Sequence, residues 1–302
     1  MLHSKQSAAF LAVAELGSFD LAAEQLCISA SAVTLRVQSL EKSLGHILII
    51  RERPCRVTQS GQELLQYLQH TRLMQQDLIQ QLSGKSASSD FCKVSIASNA
   101  DSLATWLFPT LQQTLIQHCI ALELKIKDQT QTHTLLESGL VNACISTEST
   151  TIKGCVVHAI GAMRYRMVAT PQFVEQWFKN GMTRQQIQRA PAVIYDTQDQ
   201  LHHHLMLKYF GLNQHGYPQH HIPSSSAFAE AIFQSLGFGL LPEYQIGLRL
   251  DTAELIEVLP EFQTQVMLYW HHWKQQSKAL AALTTALLTH AESHMNFNHT
   301  HQ

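Results

Sequence analysis

The chain has 302 residues, of which 45% are hydrophobic and 15% are charged, and its formal net charge is −2. This length favours about two domains, and the composition excludes a disordered or collagen-like chain. Because we find neither a membrane-spanning apolar run nor a signal peptide, we expect a cytoplasmic protein without membrane partners. The net charge neither indicates nor excludes a nucleic-acid partner, because a near-neutral chain can contain a small basic domain.

The cysteines and histidines do not predict a metal site. The six cysteines contain no CxxC pair, which favours reduced thiols over a disulfide framework or a zinc ribbon. The 18 histidines cluster at positions 202–204, 220–221 and 271–272, but adjacent residues of a strand point to opposite faces. We therefore expect no metal site and no cofactor.

The first 45 residues predict three helices. The first begins near Ser4 and is closed by Gly17, and a short second helix covers residues 20–26. Ser29 caps a third helix with one buried stripe, which ends at Gly45. Two helices joined by a short turn form a helix-turn-helix, whose second helix enters the major groove of DNA.

After the third helix the hydrophobic period changes from about 3.6 to about 2 residues. Residues 47–57 predict two short strands joined by a turn that contains Pro54, which is a wing. Residues 1–60 therefore predict a winged helix-turn-helix DNA-binding domain. Residues 61–90 predict a long amphipathic linker helix and a hinge. The apolar stripe of that helix needs a partner helix, so we expect a homodimer or homotetramer.

Residues 91–302 alternate between strand-like and helical segments. This pattern predicts an α/β domain with a mostly parallel sheet. Its length favours two lobes, the first about 91–161 with 267–302 and the second about 162–266. The fold class is thus α + α/β.

Five basic residues face two acidic ones between positions 36 and 56, a local charge of +3 that suits phosphate binding. On the third helix, Ser31, Thr34 and Arg36 are expected on the solvent side, opposite Val33 and Val37. The candidate DNA-binding residues are Ser29, Ser31, Thr34, Arg36, Gln38, Arg51, Arg53 and Arg56.

The N-terminal part resembles the LysR-type transcriptional regulators. The matching motifs are SF at 18–19, LAAEQL at 21–26, IS at 28–29, SAVTLRVQSLE at 31–41, LG at 44–45 and TQSG at 58–61. The chain departs from the family pattern at Ala30, Leu35 and Gln38, which removes possible base contacts. We therefore expect binding to depend more on DNA shape and on phosphate contacts of the wing arginines.

The second half resembles the ArgP or LysG branch of that family, regulators of lysine and arginine export that are also described as chromosome-initiation inhibitors. The motifs are NADSLATW at 99–106, GAMRY at 161–165, RAPAV at 189–193, DQLHH at 199–203, IPSSSAF at 222–228 and GFGLLPE at 237–243. The resemblance implies a periplasmic-binding-protein-like effector domain that senses a basic amino acid, and control of an amino-acid exporter gene. RNA polymerase is a further candidate partner.

Two serine clusters and several carboxylates are candidates for the effector site. The clusters at 98–102 and 224–226 precede helices, where free N–H groups can bind a carboxylate. Serines before helices are also common caps. Acidic residues that follow strands could bind an ammonium or guanidinium group, Glu148 among them. The candidates are Asp101, Ser102, Asp128, Ser146, Asp196, Ser224, Ser225 and Ser226.

Two other classes of function remain open from the residues. An enzyme tethered to DNA would need a catalytic constellation, and we find no GxSxG, HExxH or phosphate-loop motif. We therefore expect no catalytic residues. The other alternative is a DNA-binding protein that acts on replication initiation and needs no effector.

Overall fold

The computed structural model describes residues 4–82, 91–126, 132–197, 199–262 and 264–294. Its helices are α1 Ser4–Leu16, α2 Phe19–Leu26, α3 Ala30–Leu44, α4 Gln59–Leu82, α5 Ala100–Ala104, α6 Leu107–Gln117, α7 Thr132–Glu137, α8 Pro171–Trp177, α9 Arg184–Ile187, α10 Gln200–Phe210, α11 Ser225–Phe233, α12 Glu243–Ile246 and α13 Lys278–His294. Its strands are β1 Ile49–Ile50, β2 Arg56–Val57, β3 Cys92–Ser98, β4 Ile120–Ile126, β5 Ala143–Ser146, β6 Cys155–Ala169, β7 Ala192–Ile194, β8 Gln219–His221, β9 Gly239–Pro242, β10 Ile256–Glu257 and β11 Thr264–Trp273.

The chain divides into two compact units. The first unit consists of Met1–Ser98, Gln113–His158 and Trp270–Ala286, and the second of Asn99–Gln112, Ala159–Tyr269 and Leu287–Gln302. By sequence, α6, α13, β6 and β11 contribute residues to both units. The domain boundaries expected from the sequence stay predictions.

The three helices predicted for the N-terminal part are confirmed, and so are the predicted caps of α3 at Ser29 and Gly45. The Ser18 hydroxyl accepts the Leu21 N–H and begins α2, and the Ser29 hydroxyl accepts the Ala32 N–H at 3.2 Å and begins α3. Gly45 ends α3 in the left-handed conformation, with φ 71°. These caps satisfy N–H and C=O groups that the helix ends would leave unpaired.

The wing is attached to α3 by one carboxylate. Oε1 of Glu41 accepts the N–H groups of Leu48 and Ile49, at 2.8 and 3.2 Å. The strands β1 and β2 then pair antiparallel, with Ile49 opposite Val57. The hairpin was predicted over residues 47–57, and its paired part is shorter, two residues in each strand.

Helix α4 packs its first turns against the core of the N-terminal helices. Leu65 is fully buried there, and Leu64 and Leu68 are packed against the same core. Farther along α4, Tyr67 and Leu78 are 58% and 53% exposed. The apolar stripe of α4 is thus only partly covered by its own chain in the described residues.

A parallel ladder forms the α/β part of the first unit. Strand β3 lies between β4 and β5, with Ile96 opposite Leu124 on one side and Ala143 on the other. Cys144 and Cys155 are buried nearby, and burial raises the pKa of both thiols, that of Cys155 to about 12. Both thiols therefore stay protonated and unreactive.

The second unit adds antiparallel pairing, which the alternating sequence pattern did not predict. Strand β6 is antiparallel to both β9 and β10, whereas β7 and β8 pair parallel. Only the last four residues of β6, 166–169, were predicted as strand. Residues 155–165 are apolar at most positions and are interrupted by Gly161, so they lack the alternation of apolar and polar residues that marks a strand.

A buried histidine lies among aromatic rings in the second unit. The His202 ring centroid is 5.8 Å from that of Tyr217 and 5.9 Å from that of Phe238. Neither ring nitrogen of His202 has a hydrogen-bond partner among the described residues. Burial lowers the pKa of His202 to about 3, so the imidazole is neutral in the folded protein.

None of the helices in the described ranges combines the length and the apolar character that a membrane crossing requires.

At Gly61, α4 lies directly against the backbone of the wing. A Cβ added there would lie 2.2 Å from the Leu48 carbonyl oxygen. We expect Gly61→Ala to lower the free energy of unfolding by about 1–3 kcal/mol, because backbone must move to relieve the overlap. Urea unfolding measures this change. The neighbouring Gln62→Ala is the control and should stay within about 0.5 kcal/mol of the parent chain. Equal stability of the two variants would contradict this close approach.

The neutral His202 makes stability depend on pH. The unfolded chain binds a proton at this imidazole below about pH 6.5, whereas the folded protein does so only near pH 3. Stability is therefore lost as the pH falls below 6.5. When the pH is lowered from 7 to 5, the free energy of unfolding should fall in both proteins. The fall should be about 2 kcal/mol smaller in His202→Leu than in the parent chain.

The exposed His204 lies on the same helix, and His204→Leu is the matched control. Urea unfolding at the two pH values should give His204→Leu the same loss as the parent chain. Equal losses in all three proteins would show that His202 is not buried as a neutral group.

Candidate DNA-binding surface and effector site

Helix α3 presents one continuous exposed face. Val33, Val37 and Leu40 are fully buried in the N-terminal core. The side opposite these three residues is exposed and consists of Ser31, Leu35, Gln38, Ser39 and Lys42. This face is polar and basic except for Leu35, and it begins in the first turn of the helix. In a helix-turn-helix, the N-terminal residues of the second helix contact the base edges.

Four of the predicted DNA-binding residues on α3 lie on or beside this face. Ser31 and Gln38 are exposed, whereas Thr34 and Arg36 are half-buried at its two edges rather than fully on the solvent side. Ser29 is exposed at the N-cap, and its Oγ lies 3.0 Å from Oγ of Ser31. The Ser29 hydroxyl therefore serves the helix as a cap.

The three wing arginines are all exposed but differ in their partners. Arg51 lies 3.9 Å from a Glu41 oxygen and stacks over the Phe19 ring at 5.5 Å. Arg56 forms an ion pair with Glu52. No carboxylate within the described ranges pairs with Arg53. Of the three wing arginines, Arg53 is therefore the one whose charge is least offset by a nearby carboxylate in the described residues.

In the second unit, Asp101 is the centre of a hydrogen-bond cluster. Its Oδ1 accepts the Ser225 hydroxyl at 2.6 Å, and its Oδ2 accepts the Tyr165 hydroxyl at 2.7 Å. Nε2 of Gln245 donates to Ser225 Oγ at 2.8 Å. Tertiary packing therefore joins two predicted residues, Asp101 and Ser225, to Tyr165 and Gln245, which sequence reasoning missed. Tyr165 ends the GAMRY motif quoted above, which did not single it out as a site residue, and Gln245 lies in none of the quoted motifs.

A second carboxylate, Asp199, lies within electrostatic range of Asp101. It caps α10 by accepting the His202 N–H at 3.2 Å. Burial raises the pKa of Asp199 above its ordinary value, and the negative charge of Asp101 raises it further. Sequence reasoning missed Asp199, although an aspartate directly before a helical run is a recognisable N-cap signal.

The other serines of this region offer further hydroxyl groups. Ser224 is exposed at the N-cap of α11, but its hydroxyl does not cap the helix. Ser226 is exposed in the first turn of α11. Ser102 is fully buried, and its Oγ has no hydrogen-bond partner among the described residues. Ser224 thus occupies the N-cap position of α11, but its side chain makes no capping hydrogen bond.

Three predicted effector residues lie elsewhere or cannot be placed. Ser146 belongs to the first unit, where its buried Oγ accepts the N–H of Glu148 at 3.1 Å. Asp196 is half-buried in the second unit, and its charge acts on the pKa of His203. Asp128 lies outside the described residues. Each of the three remains a candidate.

Of the clustered histidines, His202, His271 and His272 are buried in the packing, whereas His204, His220 and His221 are exposed. The rings of His158 and His272 stack at 5.3 Å, and His271 hydrogen bonds to the Glu148 carbonyl oxygen at 2.7 Å. In the part of the chain that the structure describes, no three His, Cys, Asp or Glu side chains come together as a metal-binding group.

Comparison with family models assigns both parts of the chain. Residues 4–62 match the model described as bacterial regulatory helix-turn-helix protein, lysR family. Residues 93–292 match the model described as LysR substrate binding domain. Together the two matches cover most of the sequence.

Curated relatives match over nearly the whole length. The HTH-type transcriptional regulator ArgP of Photobacterium profundum is 38% identical over 284 residues, which are 94% of this chain and 95% of the relative. ArgP of Pectobacterium atrosepticum is 37% identical over 273 residues, which are 90% and 91% of the two chains. These relatives are named as regulators, not as enzymes.

Two solved structures share the fold. ArgP from Mycobacterium tuberculosis is 35% identical, with a TM-score of 0.80, and the match covers 96% of this chain and 98% of that one. Full-length LysG from Corynebacterium glutamicum with bound effector Arg is 32% identical, with a TM-score of 0.76 and coverage of 97% and 99%. The chain belongs to the LysR family of bacterial transcriptional regulators, in the branch of ArgP and LysG, and is a DNA-binding regulator rather than an enzyme.

Proposed function

We propose that this regulator senses a basic amino acid, lysine or arginine, at the Asp101 cluster and thereby controls an amino-acid exporter gene. The observation that carries the effector class is the Asp101 carboxylate, whose two oxygens accept neutral hydroxyl groups, those of Ser225 and Tyr165. A second carboxylate, Asp199, has a pKa that is raised mainly by burial and also by the negative charge of Asp101. Negative charge at this place favours a cationic ligand over an anionic one.

The hydroxyl groups beside the carboxylates suit the rest of an amino acid. Ser225 and Ser226 stand in the first turn of α11, where helix N–H groups have no partner within the helix. The positive end of that helix favours a carboxylate. An ammonium group at Asp101 and a carboxylate at α11 together describe an α-amino acid. The arginine bound to the related LysG supports the same ligand class.

The DNA side of the proposal uses the exposed face of α3 and the wing. Ser31 and Gln38 are placed to meet base edges, and Arg51, Arg53 and Arg56 to meet phosphates. Two copies of the chain pair through α4, whose Tyr67 and Leu78 are exposed within one chain. Pairing buries that apolar surface and sets the distance between two DNA half-sites. RNA polymerase is the partner through which bound DNA affects transcription.

Effector control requires a difference in affinity. The amino acid must bind one arrangement of the regulator more tightly than another, since a ligand with equal affinity for both changes nothing. Asp101 can provide that difference, because both of its oxygens already accept hydroxyl groups in the described structure. A ligand ammonium that displaces the Ser225 or Tyr165 hydroxyl would release a contact between segments, whereas one that used a remaining lone pair of the carboxylate would not.

The role of Arg53 is tested by the salt dependence of DNA binding. We expect Arg53→Ala to reduce the slope of log Kd against log salt by about 0.9 for each phosphate that the side chain neutralises. Gel shifts from 50 to 200 mM KCl on the DNA upstream of the coding sequence measure it. Arg189→Ala removes an exposed arginine of the second unit and is the matched control. Identical slopes for both variants would contradict phosphate binding by Arg53.

The role of Asp101 is tested by thermal shift and gel shift together. Arginine or lysine should raise the melting temperature of the parent chain. With Asp101→Asn this shift should disappear at the same ligand concentration, because the variant has no negative charge to attract the ligand cation. The variant should still bind DNA. Asp251→Asn, an exposed carboxylate of the second unit, should behave like the parent chain. An undiminished shift with Asp101→Asn would overturn the site.

A further inference from the structure

Leu35 lies at the centre of the exposed face of α3. Its side chain is 66% exposed, one of the most exposed large hydrophobic side chains in the described residues. With about 100° between successive residues, Ser31, Leu35, Gln38 and Lys42 fall on one side of the helix and the buried Val33, Val37 and Leu40 on the other. Leu35 thus points away from the core.

The surroundings of Leu35 indicate a polyanionic partner. Lys42 is on the same face, Arg36 is at its edge, and three arginines lie in the wing. A single exposed leucine on an ordinary surface needs no explanation. Leu35, however, lies on the exposed face of α3, the second helix of the helix-turn-helix. When this helix enters the major groove, Leu35 lies at the base edges together with Ser31 and Gln38.

A leucine on that surface can read only an apolar feature. Its side chain has no hydrogen-bond donor or acceptor, so it cannot distinguish bases by the polar pattern of the groove. In the major groove the apolar feature of a base edge is the C5-methyl group of thymine. Ser31 and Gln38 flank Leu35 by one turn on either side and carry the polar groups for the neighbouring bases.

We propose that Leu35 is a specificity-determining residue that contacts a thymine methyl group in each half-site. The inference rests on the proposed function, since it requires α3 to enter the major groove. It adds the identity of one base and the group that is recognised. Burial of the methyl group against Leu35 favours thymine over each base that lacks it.

The experiment uses the full chain and its preferred DNA. A duplex is first obtained by selection from a random library with the parent chain. Each thymine is then replaced in turn by deoxyuracil, which removes the methyl group and keeps the polar pattern. We expect one position per half-site at which this replacement raises Kd about fourfold, as the removal of one buried methyl group predicts.

Variants at the site assign the effect to Leu35. With Leu35→Ala, the thymine and deoxyuracil duplexes should bind equally at that position. Gln38→Ala is the matched control on the same face, and it should keep the fourfold preference for thymine. Melting temperatures of both variants should equal that of the parent chain, because both side chains are exposed.

The outcomes separate this inference from the proposed function. Binding that ignores every thymine methyl group, or a methyl preference that survives in Leu35→Ala, overturns the role of Leu35 while DNA binding stands. Failure of the parent chain to select any DNA overturns the proposed function, and this inference with it. Loss of the methyl preference in Leu35→Ala alone supports the assignment.

Discussion

The DNA-binding part depends on one carboxylate, that of Glu41. It belongs to the last turns of α3, yet it accepts the N–H groups of Leu48 and Ile49, where the chain enters the wing. Its second oxygen is 3.9 Å from Arg51. Because hydrogen bonds to a charged acceptor are stronger than neutral ones, this contact fixes the wing relative to α3. The proposed base contacts of α3 and phosphate contacts of the wing require a constant distance between these two elements.

Asp101 has a comparable place in the second unit. Helix α5 holds it, α11 supplies Ser225, and β6 supplies Tyr165, so three separate segments meet at one carboxylate. In the proposed effector site, a ligand cation would act on this carboxylate in two ways. It would offset the negative charge of Asp101, and it would compete with the hydroxyl donors that join the segments. The proposal thereby combines charge recognition and a change in packing in one residue.

Several parts of the site could be predicted from local sequence. Ser29 as a cap, the stripe of Val33 and Val37, and the exposed Ser31 and Gln38 all follow from helix periodicity. Periodicity was less accurate for Thr34 and Arg36, which are half-buried rather than fully on the solvent side. Asp101 and Ser225 were predicted because each follows a strand or loop and opens a helix. Tyr165 and Gln245 were not, because their partners are 64 and 20 residues away in the chain.

The sequence by itself determined the family, the helix-turn-helix with its wing, the caps and the basic charge of the DNA-binding part. These features depend on residues that are close together in the sequence. Hydrophobic periodicity and capping preferences are local signals, so they are sufficient to predict such features. Only the tertiary structure decided that Glu41 holds the wing, that Asp101 is close enough to Asp199 to raise the pKa of that carboxyl, and that β6 pairs antiparallel. Each of these depends on segments far apart in the chain, whose approach is set by packing of the whole unit rather than by any local pattern.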